Sequence, residues 1–273
     1  MSKIPENPLG RPTAFPRHYA PETLFAVPRI HGREALGLSA QLPFHGEDLW
    51  NAWELSWLDP KGRPMVAVVE LRFPAASPNL IESKSLKLYF NSLASTRYGS
   101  VASVQVLIAR DLGTCAGVPV EVRLRTGSVA SDHAVSDLPG VCIDNVPAGF
   151  GAAAVDAQLL RSDPGTPVTE SLHSHLLRSL CPVTQQPDTG SILISYHGPK
   201  IDRSALLEYL VSFRDHEAFH EACVEKIFVD LKSRCAPERL TVYARYNRRG
   251  GLDINPFRSD FEEQPPNLRL WRQ

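Results

Sequence analysis

IESKSLKLYF at residues 81–90 and IDRSALLEYL at residues 201–210 lie 120 positions apart and share Ile81/Ile201, Leu86/Leu206 and Tyr89/Tyr209. Carrying the same offset onward aligns Ser92 with Ser212. It also aligns Ala102, Val104, Cys115, Ala116, Val122 and Arg125 with Ala222, Val224, Cys235, Ala236, Val242 and Arg245. These are ten identities over positions 81–125 without a gap, where average residue usage gives about three. The chain therefore reads as an internal duplication.

The flanking patterns repeat too. In the first copy NAWELSW and MVAVVELRF surround LDPKGRP, the signature of a β-hairpin. Helical stretches follow at Ser85–Leu93 and Tyr98–Leu112, and PVEVRLR closes as a strand. In the second copy SLHSHLLRSL and GSILISY surround CPVTQQPD, followed by helices at Ser204–Phe213 and Glu217–Arg234 and the strand RLTVYARY. The expected fold class is α+β, with two tandem modules at residues 46–126 and 168–250, each a hairpin, two helices and a closing strand. An N-terminal arm covers residues 1–45. A connector rich in Ser, Asp, Pro and Gly covers residues 127–167, and a tail covers residues 251–273, whose role the sequence leaves open.

The copies differ where they carry polar groups. Glu82, Ser83 and Lys84 of the first are replaced by Asp202, Arg203 and Ser204 in the second. A helix cap tolerates either head, so the first trio points to a task beyond folding. Conversely, Cys181 and Asp188 share the second hairpin, and His220 and Glu221 open the second copy's second helix. The first copy has LDPKGRP and YGSVAS there. Complementary pieces of this kind suggest one site assembled from both copies.

The 273 residues are 43% apolar and 22% charged, with net charge −1, an ordinary globular balance. Near-neutral charge and no basic stripe with interleaved aromatics argue against direct nucleic-acid binding. No run of 18 apolar residues exists, so no membrane span is expected, and MSKIPENPLGRPTAF is not a secretory signal. Five cysteines without paired C-x-x-C spacing suggest reduced thiols in a cytoplasmic protein.

ESKSLKLYFNSL, SLCPVTQQPDTGSILISY, FHEAC and NRRGGLDINP, together with YAPETLFAVPR, resemble the NADPH-dependent 7-cyano-7-deazaguanine reductases. These are the nitrile reductases of queuosine biosynthesis, and the chain is similar to their long form, which implies two fused tunnelling-fold modules, each an antiparallel sheet with a pair of helices on one face. The resemblance implies a homodimer that reduces the nitrile of 7-cyano-7-deazaguanine to a primary amine with two NADPH, through a covalent thioimide, and needs no metal. It implies Cys181 as nucleophile and Asp188 as acid. Ile81, Glu82, Ser83, His220 and Glu221 would contact the substrate, and Ser83, Lys84, Arg249 and Gly250 the cofactor.

The residue types suit that chemistry. A thiolate adds to a nitrile carbon once activated, and an acid kept protonated by an apolar pocket can supply the proton to nitrogen. Glu221 offers two acceptor oxygens to a guanine-like edge, rejecting analogues without donors. His220 can donate or relay a proton. Lys84, Arg249 and Gly250 fit cofactor phosphates, and Arg248 can share the role of Arg249.

Two rival readings remain at this level. His173 and His175 alternate on a strand and, with Cys181, Cys223 or Cys235, would make a zinc-dependent hydrolase acting on a purine or pterin ring. The other rival is a non-catalytic nucleobase-binding protein. GFGAAA at residues 149–154 fits a permissive dinucleotide-loop pattern, but Pro147 interrupts any preceding strand and no βαβ series follows.

Overall fold

The computed structural model describes residues 15–39, 41–127, 134–152 and 154–273. Residues 1–14 of the N-terminal arm, 128–133 of the connector and Ala153 of GFGAAA lie outside the described residues. The strands are β1 (Ala26–Pro28), β2 (His45–Leu58), β3 (Pro64–Pro74), β4 (Asn79–Ile81), β5 (Glu121–Arg125), β6 (Val135–Ser136), β7 (Val141–Cys142), β8 (Ser162–Leu180), β9 (Pro187–Ile201), β10 (Arg239–Tyr246), β11 (Leu252–Ser259) and β12 (Arg269–Leu270). The α-helices are α1 (Ile30–Arg33), α2 (Ser83–Leu93), α3 (Val101–Ala116), α4 (Arg203–Val211) and α5 (His220–Cys235). The fold is mixed α+β, and no described helix is long and apolar enough to cross a membrane.

The chain divides into two compact units. One holds Met1–His31, Asp48–Asp132 and Arg248–Asp253; the other holds Gly32–Glu47, His133–Asn247 and Ile254–Gln273. In the first unit the strand order runs β5–β3–β2. On β3, Ala67, Val69, Leu71 and Phe73 are buried at every second position, the period that puts side chains on one face of a sheet. Helix α3 buries Val104, Ile108, Leu112 and Ala116, a stripe at helical spacing. Gln105 Oε1 on this helix accepts from the Leu124 N–H of β5 at 3.2 Å.

In the second unit the order is β11–β10–β9–β8–β7. Residues of one parity, Ile192, Ile194 and Tyr196 on β9 and Leu240, Val242, Ala244 and Tyr246 on β10, join Leu206, Tyr209, Leu210, Ile227, Phe228 and Leu231 of the helices in one core. Each such large side chain contributes about 1.5–3 kcal/mol by leaving water. The other parity, Leu193 and Tyr243, packs with Phe257, Leu138 and Leu270. Leu252–Ser259, within what the sequence assigns to the tail, is strand β11. The end of the tail also returns to this unit. Tyr243 donates to Pro266 O at 3.0 Å, Arg245 Nε to Gln273 Oε1 at 2.9 Å, and Gln273 Nε2 to Tyr246 O at 2.9 Å. The tail is thus part of the second face of its own sheet.

The duplication is visible in hydrogen bonds. Leu58 donates to Thr96 O and accepts from Tyr98; Leu180 donates to His216 O and accepts from Ala218. After these leucines, Asp59 N–H donates to Arg63 O and Cys181 N–H to Gln186 O, each at 2.9 Å. Asp59 and Cys181 are equivalent positions at the start of two turns. The left-handed residue is Gly62 in the first turn and Gln185, at φ 56°, in the second.

The register of the second helix pair differs from the 120-residue slide. Tyr89 and Tyr209 each donate to an aspartate, Asp111 at 2.8 Å and Asp230 at 2.6 Å, and those aspartates are 119 positions apart. The left-handed C-caps, Gly117 and Ala236, keep the same 119 spacing. Buried Val104, Ile108, Leu112 and Ala116 therefore correspond to Cys223, Ile227, Leu231 and Cys235. The matches Ala102/Ala222, Val104/Val224, Cys115/Cys235 and Ala116/Ala236 are coincidences of the slide, and one residue is missing between the two helices of the second copy.

Candidate active site

In the second unit, Ser179 pairs with Asp188 and Leu180 with Pro187 across the β8–β9 hairpin. The Cys181 N–H to Gln186 O bond continues that register by one pair. Cys181 lies two residues beyond Ser179, so it shares the face of Ser179 and Asp188. Cys181 and Asp188 are diagonal neighbours on that face, about 7–8 Å apart by strand geometry. Both side chains are sheltered, at 5% and 9% exposure.

The bonds of Leu180 to His216 and Ala218 draw the segment before α5 alongside the end of β8. That brings the first turn of α5 to the same place. His220 Nε2 stands 3.4 Å from Asp188 Oδ2, and its ring rests 4.0 Å from that of Tyr246. Glu221 is buried in the first turn of α5, where the helix dipole favours a negative charge. Helix α3 opens with a Ser100 capping box, but α5 has Phe219 at its N-cap and no side-chain cap bond. Forgoing a cap costs about 1 kcal/mol, so this end of α5 is not optimised for folding alone.

One turn further, Glu225 receives two buried guanidinium groups. Arg33 donates to it at 2.9 and 2.7 Å, and Arg258 at 3.0 and 2.9 Å. Glu221 and Glu225 are four residues apart on one helix face, so this cluster fixes the helix that carries Glu221. Neither Arg33 nor Arg258 stands out in the sequence, because they lie 192 and 33 positions from Glu225.

The thiols separate by environment. Burial pushes Cys115 to about 11, Cys223 to about 12 and Cys235 to about 11, so these three stay protonated and inert at neutral pH. In the first copy Asp59 holds the position of Cys181. Its Oδ1 accepts from the Lys61 and Arg63 N–H groups at 2.9 Å each. The Arg63 backbone bond leads the causes that lower its pKa. That acid serves its own turn.

In the first unit, Ile81 is buried in β4, paired with Ala26. Glu82 caps α2, with Oε1 accepting from Lys84 N–H at 2.7 Å and Oε2 from Ser85 N–H at 2.8 Å. Phe25, in the APETLFAVPR segment, accepts from the Glu82 N–H and donates to Ser85 Oγ at 3.0 Å. Asp202 caps α4 in the same way. Capping thus accounts for the acid in both copies, as the sequence allowed. Burial distinguishes them: Glu82 is 2% exposed, and desolvation raises its pKa against the two backbone bonds and the nearby Lys87 and Lys84 charges. The exposed Asp202 shows that a cap alone does not require such burial. Ser83 and Lys84 are half-buried at the helix start.

The NRRGG turn is pinned to β2. Trp53 N–H donates to Gly251 O at 2.9 Å. Asn51 and Trp53 side chains donate to Asp253 at 2.8 and 2.6 Å, and Arg248 lies 4.4 Å over the Trp53 ring. Arg248 is therefore engaged with an aromatic face. Gly250 has φ +60°, and a Cβ there would sit 3.3 Å from Lys87 Nζ. The structure thus groups Gly250 with α2 and adds Lys87, a cation the sequence reading passed over. Ile81 to Lys84, Arg249 and Gly250 belong to the first unit, and Cys181, Asp188, His220 and Glu221 to the second.

His173 and His175 do share a face, and the thiol whose sulfur joins them is Cys142, rather than Cys181, Cys223 or Cys235.

Comparison with known families gives two matches. Residues 15–124 match the family described as nitrile reductase, 7-cyano-7-deazaguanine-reductase N-term. Residues 187–265 match the family described as QueF-like protein.

Proposed function

The chain belongs to the 7-cyano-7-deazaguanine reductase family of nitrile reductases, and from that premise we propose that it reduces 7-cyano-7-deazaguanine to 7-aminomethyl-7-deazaguanine with NADPH in tRNA queuosine biosynthesis. The two copies are tunnelling-fold modules in this reading, and the protein works in the cytoplasm as a homodimer. The observation that carries the proposal is the hairpin register that sets Asp188 opposite Ser179 and continues to Cys181 through its N–H bond to Gln186 O, with Asp188 beside His220 of α5.

Cys181 sulfur adds to the nitrile carbon, and its proton, with the π electrons, ends on nitrogen, giving a thioimide. Asp188, 3.4 Å from His220, supplies and recovers that proton as the thiol is consumed and released. Glu221 accepts from the donor edge of the base; Glu82 is assigned to the substrate by the family resemblance. Ile81 and Ser83 complete the substrate contacts. NADPH supplies two hydrides, one to the thioimide and one to the imine left when sulfur departs. Each reduction takes up one proton. The cationic group around the glycine turn, with Ser83, Lys84, Lys87, Arg249 and Gly250, suits the cofactor phosphates. A side chain at Gly250 would be strained at φ +60° and would press on the flexible end of Lys87 at 3.3 Å.

The test is NADPH absorbance loss that depends on the cyano base, with the aminomethyl product identified by mass. No oxidation and no product, from protein shown to be folded, would remove the assignment.

A further inference from the structure

Outside that site, β7 and β8 run parallel with Cys142 paired to His173. His175 follows two residues later, and the two imidazole rings are 5.4 Å apart. One ligand atom from each of Cys142, His173 and His175 lies within 4.8 Å of the other two. Each ring has a hydrogen-bond partner at Nδ1. His173 Nδ1 is 3.0 Å from Pro139 O, and a carbonyl only accepts, so Nδ1 carries the hydrogen and Nε2 is the nitrogen left to ligate when the ring is neutral. His175 Nδ1 is 2.7 Å from Ser191 Oγ, and with that hydroxyl accepting, the same tautomer results. An oriented second nitrogen is the usual support of a metal-binding imidazole.

We propose that Cys142, His173 and His175 bind a divalent zinc-type ion. One thiolate and two imidazoles form a borderline-soft donor set. A site with three protein ligands keeps a fourth position for water, and the exposure of Cys142 gives it access. Binding releases the Cys142 proton. The ion ties β7, which has two ladder pairs, to β8. The C-terminal end joins the same place: Arg272 Nη1 donates to His175 O at 2.6 Å, and the Trp271 ring lies 6.1 Å from that of His175. The role is structural and separate from nitrile reduction.

The test uses the full-length protein, stripped with a chelator and titrated with cobalt(II), followed by metal analysis after zinc loading and desalting. One cobalt per chain is expected, with a thiolate-to-metal charge-transfer band and the d–d bands of a four-coordinate ion. Cys142→Ser should abolish the thiolate band. His173→Gln should weaken binding at least about tenfold, in line with losses seen on perturbing metal sites. Cys181→Ala, which removes the thiol of the candidate active site, should leave the band unchanged. Zinc should raise the melting temperature of the wild type and not of Cys142→Ser. No band in the wild type, a band surviving Cys142→Ser, or one vanishing in Cys181→Ala would overturn the proposal.

Discussion

Replacing Glu225 by alanine should destabilise the second unit and loosen substrate recognition together. Glu225 accepts four N–H bonds from Arg33 and Arg258 at 2.7–3.0 Å, and all three side chains are buried. Each charge-assisted bond is worth about 1.5–3 kcal/mol. The loss is smaller than their sum, because Arg258 Nη1 keeps Glu47 O and Phe257 O at 3.2 and 2.9 Å. Breaking a buried ion pair from one side costs about 3–5 kcal/mol, since the remaining charges stay desolvated. For a unit of this size that lowers the melting temperature by about 6–20 °C. Circular dichroism melts and urea titrations of Glu225→Ala against wild type measure it. Affinity for the cyano base should also fall, because Glu221 sits one turn earlier on the same helix face. A loss below about 1 kcal/mol would refute the reasoning: the guanidinium groups would then be hydrated, and α5 held by its apolar face alone.

Asp188→Asn keeps the shape of the side chain and removes its proton chemistry, so turnover should fall about 10²- to 10⁴-fold with little change in base affinity. Parallel loss of both by steady-state kinetics and calorimetry would make the aspartate structural. Glu221→Ala should weaken base binding about 10- to 150-fold, the equivalent of about 1.5–3 kcal/mol of lost charged hydrogen bonds; unchanged affinity would shift recognition to Glu82. Glu82 has a folded-state pKa raised above the ordinary 4.5, so the native state binds its proton more tightly. Its contribution is present at low pH and is lost as pH rises from about 4.5 through the raised value. Glu82→Gln should flatten that segment of the stability–pH profile, and an unchanged slope would show that Glu82 does not titrate there.

The hairpins, helix pairs and closing strands were legible because their apolar periods are local. Cys181 and Asp188 could be placed on one hairpin because strand pairing follows from the turn between them. The helix register was not legible: apolar helix faces match by chance at a one-residue error, and the Tyr89–Asp111 and Tyr209–Asp230 bonds settle it only in space. Strand β11 reads as tail because Pro256 interrupts the short alternation of LDIN; all eight residues of the strand are buried, polar Asp253 and Asn255 included. Lys87, Arg33 and Arg258 went unnoticed for a related reason. A cation's role depends on what the chain brings to it, and those partners are distant in sequence. Cys142 likewise has no His at metal-motif spacing, and only the parallel pairing with β8 sets it beside His173.

The most direct measurement is intact mass of the protein mixed with 7-cyano-7-deazaguanine in the absence of NADPH. An added mass equal to the whole base, present in wild type and absent in Cys181→Ala, is the predicted result. An adduct that persists in Cys181→Ala, or none in an active wild type under the same conditions, would contradict the assignment of that sulfur as the nucleophile.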